Sequence, residues 1–413
     1  MADKSVINKI MFLVVIVLFW ILFGLIIKLL VGMGYLSPLP PSYHNIDFED
    51  NFSVGEEMQR TRIAEEFVYD KLVEENGHLN LYYLNSSLSP EDYEIQAPYR
   101  TNSEAASYYL LWNTNVRNKV EFDRELEYME ENMLREDYDY LMWRLEENST
   151  PIEDGSNIAS DADLRAILAL YHAKEIWGDE KYSEMINKLS SGLENIAVSD
   201  DDYFVPYGGV RNNEVWKADV VWLSYSNFQA FRKLAMERGN PWIDVYNNMK
   251  KSVLESQLEN GLFNPVINNK GEYINTLEEG YSINSMWVMV RAAESGDKDL
   301  QEAARKSLEF YKSKYETEGY IAGAYDEEGN ELSGETLWAY ALIGRTAVAL
   351  GDAEFSKEIV TKILERQNTN PESEFYGSFP EGESTYVSQF TLQEIILTLQ
   401  EYTERSLEKK EGQ

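Results

Sequence analysis

The chain has 413 residues, 44% of them hydrophobic and 13% aromatic, enough to bury one large core or two medium ones and too much for a disordered protein. Its 72 acidic against 37 basic residues give a formal charge of -35, which opposes binding to nucleic acid, to an anionic membrane surface or to a polyanionic substrate and reads as a solvated acidic surface. With no cysteine, and with only His44, His78 and His172 scattered along it, the chain offers no disulfide, thiol nucleophile, zinc motif or Ser-His-Asp order, which leaves any chemistry to carboxylates and tyrosines.

The first element in chain order is IMFLVVIVLFWILFGLII, Ile10 to Ile27, an unbroken apolar run that resumes after Lys28 as LLVGMGYL. At about 1.5 Å per residue it can cross a hydrocarbon core of roughly 30 Å with Lys28 snorkelling, so a transmembrane helix is expected over residues 10–33. A cleaved signal peptide is the competitor, but the run is long for one and no A-x-A site follows. Lys4 and Lys9 precede the run, and the flank SPLPPSYHNIDFEDNF after it has no Lys or Arg. That bias keeps residues 1–9 in the cytoplasm as a tail and puts the rest outside, at the cell membrane on a single pass. A Pro-rich linker then covers residues 34–56. The sequons at Asn51, Asn85 and Asn148 are compatible with the exterior side but near chance in number for this length.

Helical periodicity dominates the remainder. Segments near 57–75, 103–113, 118–146, 161–177, 179–193, 224–238, 241–259, 280–294, 298–317, 334–350, 354–367 and 386–406 are separated by breakers such as YFVPYGGVRNN and NPVINNKGEY. GETLWAYALIGRTAVAL and EGYSINSMWVMVRAA are apolar around most of their circumference, as inner helices are, whereas DKDLQEAARKSLEFYKSKYE is amphipathic, as an outer helix is. The pattern predicts an all-α (α/α)6 barrel over 57–406, six inner helices ringed by six outer ones, with a charged tail at 407–413. A repeat solenoid is the competitor, but no fixed sequence period supports it.

Two helix starts carry carboxylates beside aromatic residues. In TNSEAASYYLLW, residues 101–112, Ser103 is the expected cap and Glu104 lies in the first turn, a common position for an acid at a helix start. In NIASDADLRAILALYHAKEIW, Ser160 and Asp163 resemble a capping box with Asp161 in the same turn, and Trp143 in YLMWRL precedes them. Capping alone accounts for each. Together they make the combination that binds sugars, because aromatic faces pack on C–H groups while carboxylates accept hydroxyl hydrogens.

SEAASYYLLW, MWR, ASDADLRAILALYHAKEIW and LSYSNFQAFRKLA also stand in the order and approximate spacing of the glycoside hydrolase family 8 enzymes. That family's stretches run roughly Ser-Glu-Gly with a tyrosine, Trp-Arg, Ala-Ser/Thr-Asp-Ala/Gly-Asp, and Pro-Ser-Tyr. Ala159, Ser160, Asp161, Ala162, Asp163, Ala169, Ala173 and Trp177 fit the Asp-containing signature, while Ala166 and Ile167 swap its usual order. The chain is thus similar to that family from about residue 57 to residue 400. The resemblance implies an (α/α)6 barrel that hydrolyses internal β-1,4 links of cellulose, xylan, chitosan or exopolysaccharide with inversion, without metal or other cofactor. It further implies Glu104 as general acid, partly enclosed by Tyr108 and Trp112. Asp161 would hold and distort the sugar at the cleavage point, Trp143 would stack on a neighbouring ring, and Tyr281 would sit near the attacking water. Asp163, Trp112 and Tyr225 complete the implied substrate contacts.

One departure matters. Where the family has Tyr-Asp-Ala-x-Arg, this chain has Tyr281, Ser282, Ile283, Asn284 and Ser285, so the aspartate base and its arginine neighbour are both missing. Glu278 and Glu279 just upstream, and Asp219 in WKADVVWLSYS, are the substitutes, with Glu279 placed ahead of Asp219. The expected function is a membrane-anchored exterior endo-glycosidase acting on a cell-surface polysaccharide or exopolysaccharide. The alternatives are a non-catalytic carbohydrate-binding barrel that has lost its base and a structural envelope protein. The expected partners are the polysaccharide, the bilayer through the N-terminal helix, and polysaccharide synthesis or export machinery, with no nucleic acid.

Overall fold

The structure, a computed structural model, describes residues 55–75, 77, 79–84, 101–145, 157–274, 280–380 and 386–411. The chain divides into two units, Met1–Pro41 and Ser42–Gln413, and every described residue belongs to the second. The expected tail and membrane span, nearly all of the linker, His44, His78 and the three sequons lie outside the described residues. Among those described, no helix is long and apolar enough to cross a membrane.

Twelve α-helices are present among them: α1 Gly55–Lys71, α2 Ser103–Asn115, α3 Lys119–Tyr128, α4 Ser160–Trp177, α5 Glu180–Ile196, α6 Phe228–Arg238, α7 Trp242–Glu255, α8 Ile283–Glu294, α9 Lys298–Glu318, α10 Leu337–Leu350, α11 Ala353–Glu365 and α12 Gln389–Glu411. The even-numbered helices pack side by side in chain order and α12 closes against α2, which makes the inner ring. Each of α3, α5, α7, α9 and α11 lies on the inner helix before it, and α1 lies on α12. The six-plus-six arrangement is the one the periodicity predicts.

Composition sorts the layers. In α9 the buried residues are Leu300, Ala303, Ala304, Ser307, Leu308 and Tyr311, one stripe at helical spacing, so a single face meets the barrel and the rest is wet. In α10 every residue from Ala339 to Val348 is buried, because that helix has neighbours on all sides. Close approach of inner helices needs small side chains. Ala162, Ala166, Ala169 and Ala173 on α4, and Ala105 and Ala106 on α2, are all at most 1% exposed. The turn from α4 to α5 passes through Gly178 at φ 69°, a left-handed C-cap where a β-carbon is strained.

Among the described residues eleven short strands tie the loops together: β1 Tyr82–Leu84, β2 Thr101–Asn102, β3 Leu134–Arg135, β4 Tyr140–Leu141, β5 Arg144–Leu145, β6 Ile158–Ala159, β7 Tyr207–Arg211, β8 Glu214–Lys217, β9 Val220–Trp222, β10 Val266–Asn268 and β11 Tyr386–Ser388. All pair antiparallel; β6, β7 and β8 form a three-stranded sheet and the others make pairs, including β2 with β5. β2, β6 and β11 run directly into α2, α4 and α12, so this network surrounds the N-terminal ends of inner helices.

The single helix expected over 118–146 is corrected. α3 ends at Tyr128, a π-helical turn follows over Met129–Met133, and β3, β4 and β5 occupy the remainder. Leu134 turns extended and Asp139 takes φ 57°, which breaks the helix so that the chain can return to β2. Helical spacing in that stretch reflects burial on both sides of a folded-back loop.

A buried charge cluster ties three inner helices together. Arg345 on α10 pairs with Glu294 of α8 at 2.5 Å and with Glu394 of α12 at 3.0 Å, bridging three inner helices. Burial, with the charges of neighbouring glutamates, pushes the nearby Glu401 up to about 8.

Candidate active site

Glu104 stands in the first turn of α2, but the cap is Asn102 and not Ser103. The Asn102 side chain accepts from the Ala105 backbone N–H at 2.8 Å and donates from Nδ2 to Glu104 Oε2 at 3.3 Å. Trp143 donates its indole N–H to the same oxygen at 2.6 Å. That indole is fixed through its own backbone: the Trp143 carbonyl accepts from Ser103 N and its N–H donates to Asn157 O, which locks the residue between the starts of α2 and α4. Burial pushes the Glu104 carboxyl up to about 7 and the charge of Asp161 adds to the rise, against the Trp143 hydrogen bond and the Arg165 and Arg144 guanidinium charges. A carboxyl held half-protonated near neutral pH can deliver a proton.

Asp161, 8% exposed, opens α4 beside it. Its Oδ2 accepts from Arg165 Nη2 at 2.6 Å, and its Oδ1 is buried without a hydrogen-bond partner. The Arg165 guanidinium also donates from Nη1 to Ser107 Oγ at 2.8 Å and lies 3.7 Å over the Tyr108 ring. Tyr225, in the 3-10 turn Leu223–Tyr225, completes the cluster: burial holds its phenol well above the usual range, and the charges of Asp161 and Glu104 push the same way.

Asp163 does not join them. Two residues on from Asp161 it has turned about 200° around the helix. It is 0% exposed, and its Oδ1 accepts from the Leu141 backbone N–H at 2.9 Å, so it anchors β4 and offers no face to a substrate. The expected capping box at this start is absent as well. Ala159 occupies the cap position, and the Ser160 hydroxyl donates instead to the carbonyls of Val205 and Pro206.

Trp112 is likewise corrected. It is 1% exposed and packs against Tyr69 and Tyr109, with ring centroids 5.1 and 5.2 Å away. Eight residues along α2 from Glu104, it lies about 12 Å down the axis, within the layer under α1. Tyr108, one turn on, is the residue that stays below the site. Trp143 keeps its place beside Glu104, but its N–H is taken and Arg144 lies 3.5 Å over one ring face.

Neither substitute base is brought to Glu104 by a described contact. Asp219 is exposed just before β9, where its backbone carbonyl accepts from Asn269 N. Glu278 and Glu279 lie outside the described residues. Tyr281, 8% exposed, exchanges backbone hydrogen bonds with Tyr325, and burial with the charges of Glu327 and Glu328 raises its phenol. No three His, Cys, Asp or Glu side chains are grouped to hold a metal ion among the described residues; burial pushes the His172 imidazole down to about 4.

The sequence reading missed two features. One is Arg165, which the Asp161 to Arg165 spacing of four on a helix could have flagged. The other is a row of rings, Tyr225, Trp222, Tyr207 and Trp216, whose successive centroids are 5.3, 6.0 and 6.2 Å apart. Tyr207 is 37% exposed, so the row reaches the surface at the site's edge. The rings come from β7, β8, β9 and the 3-10 turn that follows β9, and only the tertiary fold makes them neighbours.

Against known proteins, residues 93–293 match the model of the glycosyl hydrolases family 8. An endoglucanase of Escherichia coli O157:H7 is 24% identical over 165 residues, which span 38% of this chain and 44% of that protein. Among solved structures, a novel alpha-amylase from Clostridium perfringens superposes with a TM-score of 0.72 at 20% identity, over 84% of this chain and 99% of that one. A GH8 xylobiose complex from Teredinibacter turnerae superposes with a TM-score of 0.62 at 16% identity, over 86% and 95%. At such identities the superpositions speak for a shared fold. Glu104, Asp161, Trp143 and Tyr225 all fall in the matched segment, and residues 93–293 carry the family 8 glycosyl hydrolase pattern on a closed double ring of helices.

Proposed function

We infer that this protein is an inverting endo-glycosidase that cuts internal links of a polysaccharide outside the cell. The observation that carries the reading is Glu104, a carboxyl pushed up to about 7 and held at 2.6 Å by the Trp143 indole, next to Asp161. In the reaction Glu104 gives its proton to the leaving oxygen as the glycosidic C–O bond breaks. A base on the opposite face, roughly 6.5–9.5 Å away, takes a proton from the water that attacks the anomeric carbon. Glu279 is the preferred base and Asp219 the second choice. Asp161 and Tyr225 bind the ring at the cleavage point, Tyr281 sits near the water, and the row from Trp222 to Trp216 offers further ring-sized contacts.

A β-linked polymer is the preferred substrate, neutral or cationic, because a net charge of -35 repels a uronate-rich chain unless salt screens it. Starch belongs in the test because the superposed C. perfringens structure is described as an alpha-amylase. The purified protein is to be incubated with β-glucan, xylan, chitosan, starch and exopolysaccharide, with reducing ends counted and early products examined by NMR. New reducing ends of inverted configuration are expected. Retained configuration would sink the mechanism, and binding without cleavage would favour the second reading, a carbohydrate-binding barrel, which Ser282 in place of the family's aspartate supports.

Residues 10–33 anchor the barrel to the membrane from outside in this reading, where polysaccharide synthesis or export machinery is the fitting partner. Protease added to intact cells should shave off the barrel and leave the N-terminal tail protected. A protected barrel would reverse the orientation.

A further inference from the structure

The first turn of α8 supplies the site with neither the acid nor the cation of the resembled family. Ser282 precedes the helix, and Ser285, at the arginine's position, is 1% exposed and accepts from the Phe263 backbone N–H at 3.0 Å. A buried guanidinium nevertheless stands in the site, and it comes from α4. Arg165 is 2% exposed and reaches across to α2. Nη2 donates to Asp161 Oδ2 at 2.6 Å, while Nη1 donates to Ser107 Oγ at 2.8 Å and toward the Glu104 carbonyl at 3.4 Å. Ser107 in turn donates to that same Glu104 carbonyl at 2.8 Å.

We propose that Arg165 is the positioning residue of this site: its planar fork fixes the Asp161 carboxylate and the α2 turn carrying Glu104 in one arrangement, and so stands in for the cation that the first turn of α8 lacks. The assignment rests on the glycosidase reading above. Three features carry it. The two contacts leave through different nitrogens of a rigid plane, so the relative placement of α2 and α4 is set by guanidinium geometry; a lysine, with a single point of charge, cannot reproduce both. Stacking at 3.7 Å on Tyr108 removes the remaining freedom of that plane. The Asp161 oxygen left over, Oδ1, is buried without a partner, so Arg165 supplies the hydrogen bond that holds this carboxylate through Oδ2 alone.

The test uses the full-length protein and three variants: Arg165→Gln, Arg165→Lys and Ser107→Ala. Arg165→Gln is expected to lower kcat on the order of 10²-fold, the scale of a misplaced reacting group, with a smaller change in KM. It should also move the fall of kcat/KM at the alkaline side to higher pH, since a positive charge that opposes proton retention by Glu104 is gone. Arg165→Lys should return that limb toward its wild-type position without restoring kcat. Ser107→Ala, which cuts one grip and no charge, should give a smaller loss with the limb unmoved. Wild-type kcat in Arg165→Lys overturns the proposal, and that variant decides if Arg165→Gln does not fold. An unmoved limb in folded Arg165→Gln overturns it too, because it would show that the guanidinium is not felt at Glu104. If the wild type cleaves nothing, the glycosidase reading fails by itself. Arg165 is then judged by carboxyl NMR: the Glu104 titration should move upward in Arg165→Gln, and in Arg165→Lys, which keeps the charge, the Asp161 carboxyl carbon should shift as it loses the guanidinium fork; an unchanged spectrum overturns the assignment.

Discussion

Glu104→Gln is expected to lower hydrolysis of an unactivated polysaccharide by about 10²–10⁴-fold, the typical contribution of a general acid, while shifting the melting temperature little. The substitution keeps the size of the side chain and leaves an oxygen for the Trp143 indole and the Asn102 amide that now bind Oε2. It removes only the deliverable proton. A first-turn acid that serves as a helix start contributes about 0.3–1 kcal/mol to stability and nothing to rate, so the two roles separate in a single comparison of activity with thermal melting. A glycoside with a good leaving group should recover part of the loss. In the wild type, activity should fall as pH rises through about 7, because the acid must be protonated and Glu104 releases its proton there. Activity retained by Glu104→Gln on the natural polymer would reduce the residue to a helix start and remove the main support of the catalytic reading.

The second large effect concerns pH and stability. Glu65 on α1 is 1% exposed, accepts from Gln400 Nε2 of α12 at 2.8 Å, and is pushed by burial from an ordinary 4.5 up to about 8. Between those values the folded protein keeps a proton that the unfolded chain releases. This contribution is therefore complete below about pH 4.5 and lost as pH rises to about 8. At about 1.4 kcal/mol per unit the loss from this residue is on the order of 3–5 kcal/mol. Glu104 and Glu401, raised to about 7 and about 8, act in the same direction. The barrel should accordingly be most stable in mildly acidic solution. Glu65→Gln, whose amide can still accept from Gln400, should match the wild type within about 1 kcal/mol near pH 4.5 and exceed it by several kcal/mol near pH 8.5. Urea melts across that range measure the difference. Parallel curves for the two proteins would mean that Glu65 ionises in the folded state without cost.

Residue order alone determined a good deal. Twelve helices were legible because burial on one side or on all sides leaves a periodic or a continuous apolar trace, as α9 and α10 show. The first-turn positions of Glu104 and Asp161, and the small residues that let α2 and α4 approach, are local facts that a sequence states directly. The residues around 129–145 misled, since a loop folded back under the site buries its side chains at spacings that imitate a helix. Trp112 and Asp163 misled for a related reason: a residue near a site in sequence can lie two turns down the helix, as Trp112 does, or on another face, as Asp163 does. What tertiary structure alone decided are the long-range pairings. The Trp143 indole meets Glu104 across 39 positions, Arg165 reaches Ser107 across 58, and β7, β8, β9 and the turn after β9 gather four rings into one row. The physical reason is the same throughout. Helix periodicity and capping are set by neighbours in the chain, whereas proton affinity and hydrogen-bond geometry in a site depend on what ring closure buries against it. The upward push on Glu104 comes from burial and from Asp161, a charge on a different helix.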